Sequence, residues 1–333
     1  MTVTQTSLSP TGAAAPPRGE AVAELTVESV EHAAADVVKL TLRAEDGATL
    51  PIWTPGSHID VIIDEATVRQ YSLCGDPDDV RRWQIAVRRV PDGRGGSIRL
   101  HDQVTEGSVL TVRGPRNGFP LVGDARRYAF LAGGIGITPL LPMMAELARR
   151  GAHWQLHYGG RTRAAMPFLA ELSSYGNRVV SHPEDEEGLL DLQAICADLE
   201  PGTAVYCCGP EPMIEATEQI CETRDDLTLH VERFAPKQNA ILEPESEFEV
   251  YCSTSDLTLT VPPGRSILEV AQEAGLELLS SCMEGTCGTC EVDVLEGLPD
   301  HRDSFLSPQE RASNESMMIC VSRCLGKKLT IDI

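Results

Sequence analysis

Hydrophobic and polar positions follow three textures along the chain. From residue 21 they alternate in short runs, at 23–27, 37–42, 57–63, 83–88 and 108–113. A period of two marks strands with one buried face. Turn dipeptides separate the runs: Asp46-Gly47, Pro55-Gly56 and Asp92-Gly93. Short strands at this spacing predict an antiparallel β-barrel over 21–122. From Arg126 the runs become continuously apolar and alternate with helical segments. Strands are expected at 128–132, 153–158, 178–181, 204–208 and 227–232, with helices up to Arg150, after Pro167 and from Pro212. That order predicts a doubly wound α/β unit over 123–234. Residues 235–246 read as a linker, and residues 1–20, rich in Thr, Ser, Ala and Pro, as a disordered tail. Two strands, 248–253 and 257–261, open a third unit over 247–333. A helix follows them, with Ser266 as N-cap, Glu269 completing a capping box and Gly275 past its end. With a last strand at 329–333 this is a small β-grasp pattern.

At 333 residues two or three domains are expected, and a hydrophobic content of 42% is ordinary for a globular chain. The formal net charge of −22 excludes a nucleic-acid binder, which needs a basic surface. It is compatible with a basic docking partner. Residues 245–333 alone carry sixteen acidic and six basic side chains. The eleven cysteines are an odd number in a large chain, which does not suit a disulfide framework. No basic stretch followed by an apolar run marks a signal peptide at the N-terminus. The apolar stretch 129–147 contains Gly133, Gly134, Gly136, Pro139 and Pro142, so it reads as a strand, turn and helix rather than a membrane span. A cytoplasmic monomer, with no membrane and no nucleic acid among its partners, is expected.

Four cysteines carry the clearest chemistry. Cys282, Cys287 and Cys290 are spaced C-x4-C-x2-C, and Cys320 follows after a gap of twenty-nine residues. Four thiolates in this arrangement can hold a [2Fe–2S] cluster, two to each iron. Gly285, Thr286, Gly288 and Thr289 are small enough to let the loop close around it and aim amides at its sulfurs. A structural zinc site usually pairs C-x2-C with a second such pair or with histidines, which is not the pattern here. The spacing is that of plant-type ferredoxins, and residues 245–333 resemble that family throughout. Cys74, Cys196, Cys207, Cys221, Cys252 and Cys324 have no ligand spacing and read as small buried hydrophobes, with Cys324 near the cluster because it closely follows Cys320.

Two further pieces suit a flavin. Arg69-Gln-Tyr-Ser-Leu73 ends a strand: Arg69 can pair with a phosphate, Tyr71 can stack on a planar ring and Ser72 can bond its edge. Gly93-Arg-Gly-Gly-Ser97 is a glycine-rich loop that can present amides to an anion, with Arg88 and Arg89 just upstream. Gly133-Gly-Ile-Gly-Ile-Thr-Pro139 joins a strand to a helix, where amides and the helix dipole can face a pyrophosphate. It is not the G-x-G-x-x-G fingerprint, because Pro139 stands where the last glycine would be. Cys208-Gly-Pro-Glu-Pro-Met213 ends a later strand. His58 and His101 are isolated and read as structural. No acid–base triad or two-His-one-carboxylate set is visible.

Together these pieces resemble the ferredoxin-NADP reductase superfamily, and within it the phthalate dioxygenase reductase branch, from about residue 21 to the end. The resemblance implies an FMN barrel, a nicotinamide domain and a plant-type ferredoxin domain, in that order, although relatives with FAD exist. It implies FMN contacts at Arg69, Gln70, Tyr71, Ser72, Val87, Arg88, Gly95, Gly96, Ser97 and Thr138. Phe234 resembles the aromatic that shields the flavin, with packing between domains as its other reading. For the nicotinamide it implies Gly133, Gly134, Gly136, Pro139, Arg161, Cys208, Gly209, Pro210 and Met213. NADH is expected over NADPH; the pair Arg161 and Arg163 in Gly159-Gly-Arg-Thr-Arg163 could hold a 2′-phosphate, and because an arginine at the first position is also common in NADH-using relatives, Arg163 is the one that speaks against NADH. The implied route runs from NADH through FMN and the cluster to a Rieske-type oxygenase. A cytochrome P450 partner, a free-standing flavin or quinone reductase and a redox-sensing interaction protein are the alternatives.

Overall fold

The computed structural model describes residues 22–64, 67–237 and 245–333. The expected tail and most of the expected linker lie outside these residues.

The first unit is a six-stranded antiparallel sheet of β1 (Val22–Ala34), β2 (Val37–Ala44), β3 (Ser57–Asp64), β4 (Thr67–Ser72), β5 (Arg82–Arg88) and β6 (Val109–Asn117), in the order β4-β3-β6-β1-β2-β5. Its two edges meet: Leu73 bridges Ile85, and Cys74 N–H donates to the Gln84 carbonyl at 2.9 Å. The sheet therefore closes into a barrel, which removes the exposed edges. Leu25, Val27, Leu40, Leu42, Ile59, Val61, Trp83 and Ile85 fill its interior. β1 is longer than the alternation predicts. Its second half, Glu28–Ala34, is polar and half-exposed, and it stays extended by pairing with β2 across two register shifts.

The second unit is a five-stranded parallel sheet of β7 (Arg127–Gly133), β8 (His153–Gly160), β9 (Val179–Pro183), β10 (Thr203–Cys208) and β11 (Thr228–Glu232). Separate apolar clusters cover its two faces, which accounts for the continuous apolar runs. The order β11-β10-β7-β8-β9 reverses between β7 and β10. In such sheets ligands bind at that reversal, beyond the carboxyl ends of the strands. The expected helix after Pro167 is a single turn, Leu169–Leu172, followed by a 3-10 segment; Gly176, at φ 59°, interrupts it. The apolar stretch 129–147 is β7, a turn and the helix Leu140–Arg149. Among the described residues no helix is long and apolar enough to cross a membrane.

The third unit holds β12 (Phe248–Cys252), β13 (Leu257–Val261), β14 (Glu291–Glu296), β15 (Pro299–Asp300), β16 (Ser316–Met318), β17 (Arg323–Cys324) and β18 (Lys328–Ile331). Its main sheet runs β13-β12-β18-β14-β16, and β15 pairs with β17. The helix Ile267–Glu273 packs against it through Ile267, Leu268 and Ala271. Ser266 and Glu269 make the expected capping box, and Gly275 adopts φ 91° beyond the helix end. The strands β15 to β17 are only two or three residues long, too short for alternation to announce them.

Candidate active site

The cluster loop is held by backbone that only glycine permits at two points. Gly285 and Gly288 have φ of 68° and 75°. A Cβ on Gly285 would lie 2.6 Å from Val321 Cγ2, and one on Gly288 would lie 2.6 Å from Phe305 Cζ. The loop that results buries the thiols of Cys282, Cys287, Cys290 and Cys320. They meet in two pairs, Cys282 with Cys287 and Cys290 with Cys320, and Cys282 also reaches Cys320. The amides of Glu284 and Thr286 donate to Cys282 Sγ at 3.3 and 3.4 Å, and that of Thr289 donates to Cys287 Sγ at 3.5 Å. Hydrogen bonds from neighbouring thiols lower Cys282 and Cys290 below the usual thiol range, and the same contacts raise Cys287 and Cys320 above it. Two adjacent pairs of thiols fit the four-thiolate ligation of a two-iron cluster. Cys324 is not part of this set; its thiol accepts from Gly326 N–H at 3.2 Å and lies in the apolar core.

All three units line one cavity beside this loop. The barrel contributes His58, Arg69, Gln70 and Ser72, the parallel-sheet unit Glu232 and Phe234, and the third unit Cys282, Thr286 and Phe305. At one end Arg69 makes no ion pair among the described residues; its guanidinium donates to the carbonyls of Val68 and Arg94. Gly95 has φ 80°, and the chain turns there into the helix Gly96–Gln103. The expected loop thus becomes a helix start from Gly96 onward. A Cβ on Gly96 would lie 2.8 Å from Arg69 Cγ, so the arginine packs flush on the first helical turn. A guanidinium without a carboxylate partner among the described residues, packed beside a helix N-terminus, is a place for an anion. Ser97 Oγ accepts from Val90 N–H at 3.1 Å and holds the loop.

Other expected flavin residues stand elsewhere. Val87 is buried in the barrel core, and Arg88 is exposed. Thr138 donates to the Ile135 carbonyl at 2.9 Å and pins the turn after β7. Tyr71 packs against the barrel core, and burial pushes its hydroxyl up. Sequence reasoning missed His58, which faces the cavity with its ring 3.4 Å from Gln70 Nε2. Burial first, then the Arg116 charge, push this histidine down to about 4, so it is neutral at pH 7. Glu232 was missed as well. Ser72 Oγ donates to Glu232 Oε2 at 3.4 Å, and burial pushes the Glu232 carboxyl up to about 8. Burial, with Glu232 next, raises the Cys208 thiol well above its usual range, so it is a neutral thiol.

At the sheet's reversal the two glycine motifs lie backbone to backbone. A Cβ on Gly136 would stand 2.2 Å from the Cys208 carbonyl oxygen, one on Gly133 2.4 Å from Pro210 Cδ and one on Gly209 2.9 Å from Met213 Sδ. Gly134 opens the turn at φ 54° with nothing within 4 Å, which leaves room above it. Arg161 is exposed, and its carbonyl accepts from Asp185 N–H at 3.2 Å. Arg163 is held by Glu186 through two hydrogen bonds, at 2.7 and 3.1 Å.

Comparison with known proteins agrees with this arrangement. Family profiles match residues 24–120 as an oxidoreductase FAD-binding domain, 130–219 as an oxidoreductase NAD-binding domain and 250–325 as a 2Fe-2S iron-sulfur cluster binding domain. The carnitine monooxygenase reductase subunit of Escherichia coli (strain K12) is 42% identical over 320 residues, covering 93% of this chain and 98% of that protein. Phthalate dioxygenase reductase, solved as a modular structure for electron transfer from pyridine nucleotides to [2Fe-2S], superposes with a TM-score of 0.68 at 34% identity, covering 94% of this chain and 98% of that one. An intact type IV self-sufficient cytochrome P450 monooxygenase superposes with a TM-score of 0.87 at 43% identity; it covers 94% of this chain, which spans 41% of that protein. The chain belongs to the family of flavin- and [2Fe–2S]-dependent oxygenase reductases that includes phthalate dioxygenase reductase.

Proposed function

We propose that this protein takes electrons from NADH through FMN and the [2Fe–2S] cluster and delivers them to a separate oxygenase, as a cytoplasmic monomer. The observation that carries the reading is the single cavity lined by all three units, with the Cys282 side chain on its wall. A flavin held there would supply hydride acceptance and the release of two electrons one at a time to a one-electron cluster. The chain's own part is to place and insulate. Arg69 and the first turn at Gly96 and Ser97 hold the flavin phosphate, and Gln70 and Ser72 bond the ring edge. Phe234, 46% exposed at the mouth, would cover the face of a flavin ring held there. The turn from Gly133 to Pro139 holds the pyrophosphate, and Cys208 to Met213 bound the nicotinamide. Neutral Cys208 and protonated Glu232 keep negative charge away from the site of hydride passage.

One phosphate suits the corner made by Arg69 and the helix start, which supports FMN over FAD. NADH is supported by the Arg163–Glu186 pair, which engages one of the two arginines of this turn, and by the run Glu184–Glu187, which repels a 2′-phosphate. A cytochrome P450 acceptor is the second reading, favoured by the likeness to the self-sufficient P450 over 94% of this chain. The acidic third unit suits a basic face on either acceptor. The deciding experiment is reconstitution: NADH-dependent turnover of a Rieske-type oxygenase that needs this chain supports the reading. Coupling only to a P450 would replace it with the second.

A further inference from the structure

Asp60 is fully buried on β3, and it joins two of the three units. Its carboxylate accepts from Arg113 Nε and NH2 at 2.9 and 2.7 Å and from Arg116 NH2. Across the boundary, Ser281 Oγ donates to Asp60 Oδ1 at 2.6 Å, and Arg113 NH2 donates to the Ser280 carbonyl at 2.6 Å. Gln70 Nε2 lies 3.2 Å from both Asp60 Oδ1 and Ser281 Oγ. Ser280 and Ser281 immediately precede Cys282, whose side chain lines the cavity. A buried charge cluster seldom stabilises a fold, because desolvation offsets the attraction unless every lone pair is satisfied. Here two of the satisfying contacts come from the neighbouring unit. The cluster of charges is therefore complete only when the cysteine loop is docked. Other contacts along the same seam are Arg94 with Glu284 at 3.0 Å and Lys237 N–H to Ser304 Oγ at 2.8 Å. Phe305 fills the gap between Gly118 and Gly288, where a Cβ on either glycine would lie 2.9 or 2.6 Å from its ring.

We infer that Asp60, Arg113 and Ser281 form a polar latch that docks the cysteine loop on the barrel and so sets the gap between flavin and cluster. They are positioning residues, acting through Cys282. The inference rests on the electron route proposed above. A latch of hydrogen bonds fixes the approach more sharply than apolar packing, because each bond weakens steeply off its line. Electron transfer falls steeply with distance, so a looser dock slows the flavin-to-cluster step and leaves hydride transfer alone.

The test uses the full chain with flavin and iron, as wild type, Ser281→Ala and Arg113→Gln. Iron and flavin are assayed, rapid mixing with NADH separates flavin from cluster reduction, and hydrogen exchange is followed over 278–290. Both variants should keep their iron and flavin and reduce flavin at the wild-type rate with unchanged KM for NADH. Flavin-to-cluster transfer should slow tenfold or more, with faster exchange in the loop. Unchanged transfer in both variants overturns the latch, and so does loss of iron in Ser281→Ala, which would make that serine part of the cluster's own support. A wild-type chain whose cluster NADH never reduces would overturn the electron route itself, whatever the exchange shows.

Discussion

The Ser72 hydroxyl of the barrel donates to the Glu232 carboxyl of the parallel-sheet unit, at 3.4 Å across their boundary. This contact joins the barrel to the parallel-sheet unit on the wall of the shared cavity. The carboxyl is protonated at neutral pH, because burial raises it from an ordinary value to about 8. In the unfolded chain Glu232 ionises at its usual, lower pH. The folded state therefore binds the extra proton between about 4.5 and 8, and the stabilisation it gives is complete below that window and lost as pH rises through 8. Glu232→Gln should flatten this part of the stability profile. Urea midpoints of wild type and variant at several pH values check it, and parallel profiles for the two would show that folding does not raise the Glu232 carboxyl.

Cys287→Ser replaces a thiol whose Sγ accepts from Thr289 N–H with a shorter, weaker ligand. The variant should bind little or no iron and lose the cluster's visible absorption. NADH-dependent bleaching of the flavin should persist, because that chemistry lies in the other two units. A full complement of iron in the variant would remove Cys287 from the ligand set.

Arg69→Ala removes the guanidinium that packs on the Gly96 turn. Loss of a charged hydrogen bond to phosphate should weaken flavin binding by about 1.5–3 kcal/mol, or roughly ten- to hundredfold in Kd. The flavin released by heat should run as FMN. Titration of the flavin-free chain gives the affinity, and an unchanged Kd would place the phosphate elsewhere.

Glu186→Ala frees Arg163 from its two hydrogen bonds. NADPH should then gain in kcat/KM against NADH, by roughly tenfold if the arginine reaches the 2′-phosphate with one charged contact. Arg163→Ala should leave the wild-type preference for NADH intact. A wild-type preference for NADPH that disappears in Arg163→Ala would reverse the assignment.

The sequence shows the units well where burial imposes a simple period. β7 and β10 are buried on both faces and read as unbroken apolar runs, whereas Glu291-Val-Asp-Val-Leu-Glu296 carries three charges and hides β14. Cysteine spacing exposes the cluster loop because three of the four expected ligands, Cys282, Cys287 and Cys290, come from one tight turn. What sequence does not show is contact between units. Asp60 meets Ser281 across 221 positions, and His58 looks isolated until β3 turns it toward the cavity. Arg163 looks available for a phosphate until β9 and the turn after it bring Glu186 alongside. Each of these is a partner supplied by tertiary packing, which no local pattern encodes.

The order of electron flow is tested most directly by removing the flavin while keeping the cluster. Rapid mixing of NADH with the complete chain should bleach the flavin first and the cluster after it. In the flavin-free, iron-loaded chain the cluster should stay oxidised in NADH, and added FMN should restore its reduction. Cluster reduction by NADH at the same rate with and without flavin would contradict the account.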